Sequence, residues 1–241
     1  DLHSFPTRRS SDLNLSTQVI EIPTLTDAEL ASSVHWQAQQ YIPIPKEELS
    51  LNYQVLYRPE KKDLTAQNMR VLLVGINQQH LNSLVAAYNQ AGLECSVLET
   101  ESVAILRNLK AVSDDSSCMI INFGANQMDL TVVRSGELAM VISHQTGSEM
   151  ITKALINSFN LPVDKAEEYK KNYGFDAQQV DGKIANAIVP VAQIMLSNIK
   201  NTISFYNEKN SLQAINQIYT CGGGSLVPEV EIGRASCRER V

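Results

Sequence analysis

The stretch IINFGANQMDLTV (Ile120–Val132) decides how the rest of the chain is read. Cys118 to Phe123 is a continuous apolar run, the pattern of a strand buried on both faces, and Leu130 to Arg134 is a second strand. Between them Gly124, Ala125, Asn126 and Gln127 make a tight turn. A glycine-containing hairpin of this kind can point successive backbone N–H groups at a phosphate, because only a small residue lets the backbone approach. Most strand–Gly–strand hairpins bind nothing, so the weight falls on what surrounds this one.

Downstream, Ser135-Gly136 predicts a hairpin turn into a strand over Leu138 to Ser143. Gly147 precedes a helix to about Phe159, and a second helix spans about Val163 to Tyr173. A long amphipathic helix follows, with Ile188, Val191, Met195, Ile199 and Tyr206 on one face and Pro190 in its early turns. The last strand, Ile215 to Thr220, ends in Gly222, Gly223, Gly224 and Ser225. Three glycines permit close packing against a flat ring such as adenine, or simply a flexible loop. On the second helix Glu167 and Lys170 are three apart and share a face. They can hold a ribose from one side or form an ordinary solvated ion pair.

Upstream, the pattern is different. Gln18 to Ile22 is a β-rich run closed by Pro23. Thr26 and Glu29 fit a capping box, opening a helix to about Gln40 that buries Leu30, Val34 and Ala38. Pro43 and Pro45 stop it. Leu49 to Tyr57 alternates as a half-buried strand, Lys61 to Gln67 is a polar turn, and Val71 to Ile76 is a strand. A helix marked by Leu81, Leu84, Val85 and Tyr88 ends at Gly92, and Glu94 to Leu98 is a further strand. The sum is a β-α-β-β-α-β module. A helix at about Glu101 to Leu109 and the polar stretch Ser113 to Ser117 separate it from the rest.

The order of these parts carries more than any one of them. Hairpin, helices bearing the Glu/Lys pair, then a strand ending in triple glycine resembles the second half of an actin-like ATPase fold. With the stretches VIEIP (Val19–Pro23), HWQAQQYIPIP (His35–Pro45) and LNYQV (Leu51–Val55), the chain closely resembles the PilM family of type IV pilus assembly, and more distantly FtsA. The AEEYKKNYG stretch (Ala166–Gly174) is secondary support. The resemblance implies an α/β (α+β) chain with an incomplete actin-like (ribonuclease H-like) ATPase fold. It places an inserted β-α-β-β-α-β (SHS2-type) module at about 14–100 and an actin-like nucleotide-binding lobe at about 101–230, with a helical insertion near 151–182.

It further implies roles. Gly124, Ala125, Asn126 and Gln127 would form the second phosphate loop, and Gly147 would start a helix near the nucleotide. Glu167 and Lys170 would face the ribose, and Gly222, Gly223, Gly224 and Ser225 the adenine. Asn122 stands where the family usually has an Asp that organises a Mg²⁺-bound water. Asp129 is a candidate substitute if strand alternation turns it to the same side. For the intact protein the resemblance implies ATP with Mg²⁺ and, with Asn122 in place of the usual Asp, weak or absent hydrolysis; the first phosphate loop lies outside this sequence, so poor nucleotide binding is expected of the fragment itself. The implied partner is the amino-terminal peptide of PilN, with a motor ATPase and self-association as further contacts, at the cytoplasmic face of the inner membrane. The alternatives are an FtsA-like division protein and an active phosphotransferase of the same superfold.

Composition agrees with that class. Of 241 residues 44% are hydrophobic and 19% charged, enough for a sizeable core. The formal net charge of -6 argues against nucleic acid or an anionic membrane as the main partner. The most apolar long stretch, Ile184 to Leu196, carries Asn186, Pro190 and Gln193 and does not read as a membrane span. The first ten residues lack the apolar core of a signal peptide. Four cysteines without a CxxC pair point to neither a disulfide framework nor zinc, and the four histidines have no metal spacing. No Gly-x-Ser-x-Gly elbow is present. Residues 1–13 and 231–241 resemble translated sequencing-adapter sequence, and are read as non-native tails.

Overall fold

The computed structural model describes residues 15–59, 68–109 and 117–230. The tails, the turn expected at Lys61 to Gln67 and most of the stretch Ser113 to Ser117 lie outside them. The chain divides into two compact units, Asp1–Leu109 and Lys110–Val241.

The first unit contains β1 (Leu15–Pro23), α1 (Asp27–Tyr41), β2 (Leu49–Tyr57), β3 (Asn68–Asn77), α2 (Gln78–Gln90) and α3 (Glu101–Asn108). Its three-stranded sheet runs β1-β3-β2, antiparallel throughout. The central strand is the most apolar, and Met69, Val71 and Leu73 pack with Leu30, Val34 and Ala38 of α1. Helix α1 starts where the capping box places it. The Thr26 hydroxyl accepts from the Glu29 N–H at 3.3 Å, and the Thr26 N–H donates to Glu29 Oε2 at 2.8 Å. Helix α2 is capped by Asn77 Oδ1, which accepts from the Gln79 and His80 amides at 2.9 and 3.3 Å. It ends in a Schellman motif. The Leu93 N–H reaches Tyr88 O and the Gly92 N–H reaches Asn89 O, with Gly92 at φ +73°.

The strand expected at Glu94 to Leu98 does not form. The sheet is completed by β1, β3 and β2, so this segment gains no hydrogen-bonded neighbour. Val97 is 77% exposed and Cys95 only half-buried, so its alternating apolar residues cover no core either. A β-favouring sequence without a partner strand or a core to cover has no reason to extend as one.

The second unit contains β4 (Ser117–Phe123), β5 (Met128–Arg134), β6 (Glu137–His144), α4 (Glu149–Phe159), α5 (Val163–Asn172), α6 (Lys183–Lys209) and β7 (Ile215–Cys221). The sheet order is β6-β5-β4-β7. Strands β4, β5 and β6 form an antiparallel meander, and β7 returns parallel to β4 after the three helices. Ser135 (φ 51°) and Gly136 (φ 78°) make the two-residue turn that suits the strand twist. Met119, Ile121 and Phe123 face a core shared with Ile151 and Leu155 of α4 and with α6. All five residues expected on the buried face of α6 lie in this core. Pro190 is the eighth residue of α6, beyond the first turn. The Asn186 carbonyl therefore lacks its i+4 intrahelical donor, and Asn186 sits on the exposed side of the helix.

Candidate functional site

The parallel return of β7 brings the hairpin and the triple glycine together. Asn122 lies opposite Asp129 on β5 and opposite Cys221 on β7, and Asp129 lies opposite Ser143 on β6. Opposed residues share a face, so Cys221, Asn122, Asp129 and Ser143 form one polar row across the end of the sheet. Alternation therefore puts Asp129 on the same side as Asn122. Its carboxylate is buried and accepts from Gln127 Nε2 at 3.2 and 3.1 Å and from the Ser143 hydroxyl. The Gln127 side chain is thus folded back onto β5 rather than extended from the turn.

The turn itself is closed by the Gly124 N–H donating to Gln127 O at 3.0 Å. Ala125, Asn126 and Gln127 are exposed. The Ala125 and Asn126 amides make no hydrogen bond among the described residues. The carbonyls of the same turn are occupied. Gly124 O accepts from the Ser148 N–H at 3.0 Å, and Ala125 O accepts from the Glu149 N–H at 2.9 Å. Helix α4 therefore docks its amino end against the hairpin. This contact explains Gly147, because a Cβ there would stand 2.0 Å from Ala125 O. Gly147 lies just before α4 rather than starting it: Ser148 is the N-cap and Glu149 the first helical residue, and the amides of both go to protein carbonyls. The Ser148 and Glu149 amides are thus taken up within the protein, while among the described residues those of Ala125 and Asn126 are not.

The Glu167–Lys170 pair is not an ordinary solvated ion pair. Lys170 is only 7% exposed, and its Nζ donates to Glu167 Oε1 at 2.6 Å and to Thr152 Oγ1 at 2.9 Å. The Thr152 hydroxyl in turn donates to Glu167 Oε1. Desolvation acts to raise the Glu167 pKa, but the bonds from Lys170 and Thr152 and the charges of Lys170 and Lys171 outweigh it, so the carboxyl sits below its usual range. Sequence reasoning missed Thr152. It lies on a different helix, fifteen residues before Glu167, and no spacing rule links the two.

The three glycines do different things. Gly222 has φ +84°, and a Cβ on it would meet Phe123 O at 2.6 Å and Asn122 Oδ1 at 2.7 Å. Gly224 lies against the Phe123 ring, where a Cβ would stand only 2.5 Å from Phe123 Cγ. Gly223 is exposed, with nothing within 4 Å of a Cβ. Ser225 turns its hydroxyl back onto Gly222 O at 2.7 Å. The loop then reaches the end of α5, where Pro228 O accepts from the Phe175 N–H at 2.9 Å. The structure thus joins hairpin, α4, the Glu167–Lys170 pair and the glycine loop through a chain of backbone and side-chain contacts. No hydrogen bond runs directly from Glu167 or Lys170 to the glycines.

On the opposite face of β4, a cavity of about 540 Å³ lies between the sheet and α6, lined by Ile121, Phe123, Met128, Phe175, Met195 and Ile218 among others. It is separate from the Asn122–Asp129 row, and nothing in the sequence announced it.

The metal expectation at Asn122 meets a poor donor set. A carboxamide brings an oxygen without charge, and the carboxylate opposite is engaged by Gln127 and Ser143. Among the described residues no group of three or more His, Cys, Asp or Glu is arranged to hold a metal ion.

Comparison with known proteins decides the family. A family model described as "Type IV pilus assembly protein PilM" matches residues 11–233. The chain belongs to that family. Among solved structures it is similar to a chain of a "PilM-PilN type IV pilus biogenesis complex", with TM-score 0.80 and 24% identity over 95% of this chain and 65% of that one. It is similar to MreB5 of Spiroplasma citri bound to AMPPNP, with TM-score 0.50 and 16% identity over 68% of this chain and 59% of that one. Among curated relatives, the ethanolamine utilization protein EutJ of Salmonella typhimurium is 23% identical over 141 residues, 58% of this chain and 44% of the relative. The chain therefore spans less than half of that relative and about two thirds of the pilus protein's length. These likenesses establish an actin-like ATPase fold for a PilM-family chain.

Proposed function

We propose that this PilM-family chain serves as a nucleotide-responsive scaffold in type IV pilus assembly, capturing the amino-terminal peptide of PilN and so linking PilN and PilO to the cytoplasmic motor. The family match over residues 11–233 carries the reading. The likeness to a chain from a PilM–PilN complex supports the choice of partner. It also favours pilus assembly over the FtsA-like and phosphotransferase alternatives. A peripheral position at the inner membrane, reached through the partner, goes with this reading. Among the described residues no helix is long and apolar enough to cross a membrane.

The nucleotide is proposed to be ATP, with Mg²⁺ carried on its phosphates. The exposed amides of Ala125 and Asn126 would bind phosphate, as unpaired backbone N–H groups in a tight turn do. The free carboxylate oxygen of Glu167 would accept from the ribose hydroxyls, with Lys170 beside it. The open space over Gly223 would take the adenine, next to the close-packed Gly222 and Gly224. Asn122 carries no charge with which to activate water, so binding without fast turnover is expected. Contacts to the motor ATPase and between copies belong to the same proposal.

Titrating a PilN amino-terminal peptide onto the full-length protein, with and without Mg-ATP, tests the scaffold reading. Saturable binding is expected, with an affinity that changes when nucleotide is present. A peptide that does not bind under either condition would remove the scaffold role.

A further inference from the structure

The buried cluster on α4 and α5 has a member to which neither the family match nor the sequence gives a role. Thr152 is 3% exposed, and its hydroxyl spends its proton on Glu167 Oε1 while accepting from Lys170 Nζ. Glu167 Oε1 therefore takes two donors, and Oε2 makes no hydrogen bond among the described residues. Lys170, itself buried, supplies Oε1 with one donor from the same helix as Glu167. The second donor comes from α4, whose amino end is fixed to the hairpin by the Ser148 and Glu149 amides, one turn before Thr152.

We propose that Thr152 is a positioning residue that aims the free oxygen of Glu167 at the ribose hydroxyls of a bound nucleotide, so that ribose recognition is set from the helix whose amino end docks on the phosphate hairpin. This rests on the nucleotide reading given above. A carboxylate with one oxygen held by two donors and the other left open is suited to accept from a vicinal diol. The depressed pKa of Glu167 agrees, because only the ionised form can accept at both oxygens.

The experiment measures affinity of the full-length protein for ATP, 2′-deoxy-ATP and 3′-deoxy-ATP, in wild type, Thr152→Val, Thr152→Ala and Thr152→Ser, with circular dichroism as the folding control. Wild type is expected to prefer ATP over at least one deoxy analogue by roughly tenfold, the scale of one hydrogen bond to a charged group. Val and Ala should weaken ATP binding by about that factor while leaving the deoxy analogue nearly unchanged, and Ser should restore the preference. Equal weakening of all three nucleotides would mean a purely structural threonine and overturn the proposal. So would a wild type that binds ATP and both analogues alike, even if no Thr152 variant folds. A wild type that binds no nucleotide at all overturns the nucleotide reading itself, and this inference with it.

Discussion

At the scale of single residues, Gly147 and Gly223 are the same amino acid under opposite constraints. A Cβ on Gly147 would lie 2.0 Å from backbone at Ala125, and that backbone is held by two α4 amides, so it cannot yield cheaply. Gly147→Ala is expected to lower stability by about 2 kcal/mol or more, read as a lower denaturant midpoint, whereas Gly223→Ala should stay within about 0.5 kcal/mol. If the two variants unfold alike, the close approach to Ala125 does not restrict the residue at 147. Titration gives a second residue-scale expectation. Desolvation lowers the His144 pKa, against an opposing pull from Asp129, and its Nε2 is buried without a hydrogen-bond partner. The Glu167 pKa is lowered too. Both groups therefore bind protons more readily in the unfolded chain, so stability is full at neutral pH and falls on acidification. The loss should begin below the ordinary His value of 6.5 and deepen below the ordinary Glu value of 4.5. His144→Gln should flatten the first part of a melting-temperature profile between those values, and an unchanged profile would assign the acid sensitivity elsewhere.

At the scale of elements, helix starts were the most legible feature. Thr26 and Glu29 form the reciprocal capping box that their spacing predicts, because the partners are three residues apart and no tertiary contact is needed. Thr26→Ala is expected to cost about 1 kcal/mol, measured by chemical denaturation. A null effect would mean that packing of Leu30, Val34 and Ala38 alone fixes where α1 begins. The long helix α6 was legible for a related reason, since Ile188, Val191, Met195, Ile199 and Tyr206 repeat at helical spacing and all reach the core. Glu94 to Leu98 shows the limit of local reading. Its residues favour a strand, but strand formation is a property of pairs, and the neighbour is missing. The Glu167–Lys170 pair shows the same limit from the other side. Spacing gave the pair, while burial and the third partner Thr152 came from a helix that no periodicity joins to it.

At the scale of the whole molecule, bound nucleotide should stabilise the folded protein by mass action. At a hundred times its dissociation constant, ATP is expected to add about 2.7 kcal/mol, visible as a higher melting temperature of the full-length protein. Melting temperatures that do not move at millimolar Mg-ATP would argue that the hairpin amides hold no phosphate. The sequence by itself determined the element order of the second unit, the capped start of α1, the apolar face of α6 and the family, since each depends on neighbours in the chain or on motif order. Tertiary structure alone decided that Asp129 shares a face with Asn122, that α4 spends its first amides on the hairpin, and that Lys170 is buried against Thr152. Those are facts about strand register, backbone approach and helix packing. They arise between segments distant in sequence, where a residue's own neighbours carry no record of what it will touch.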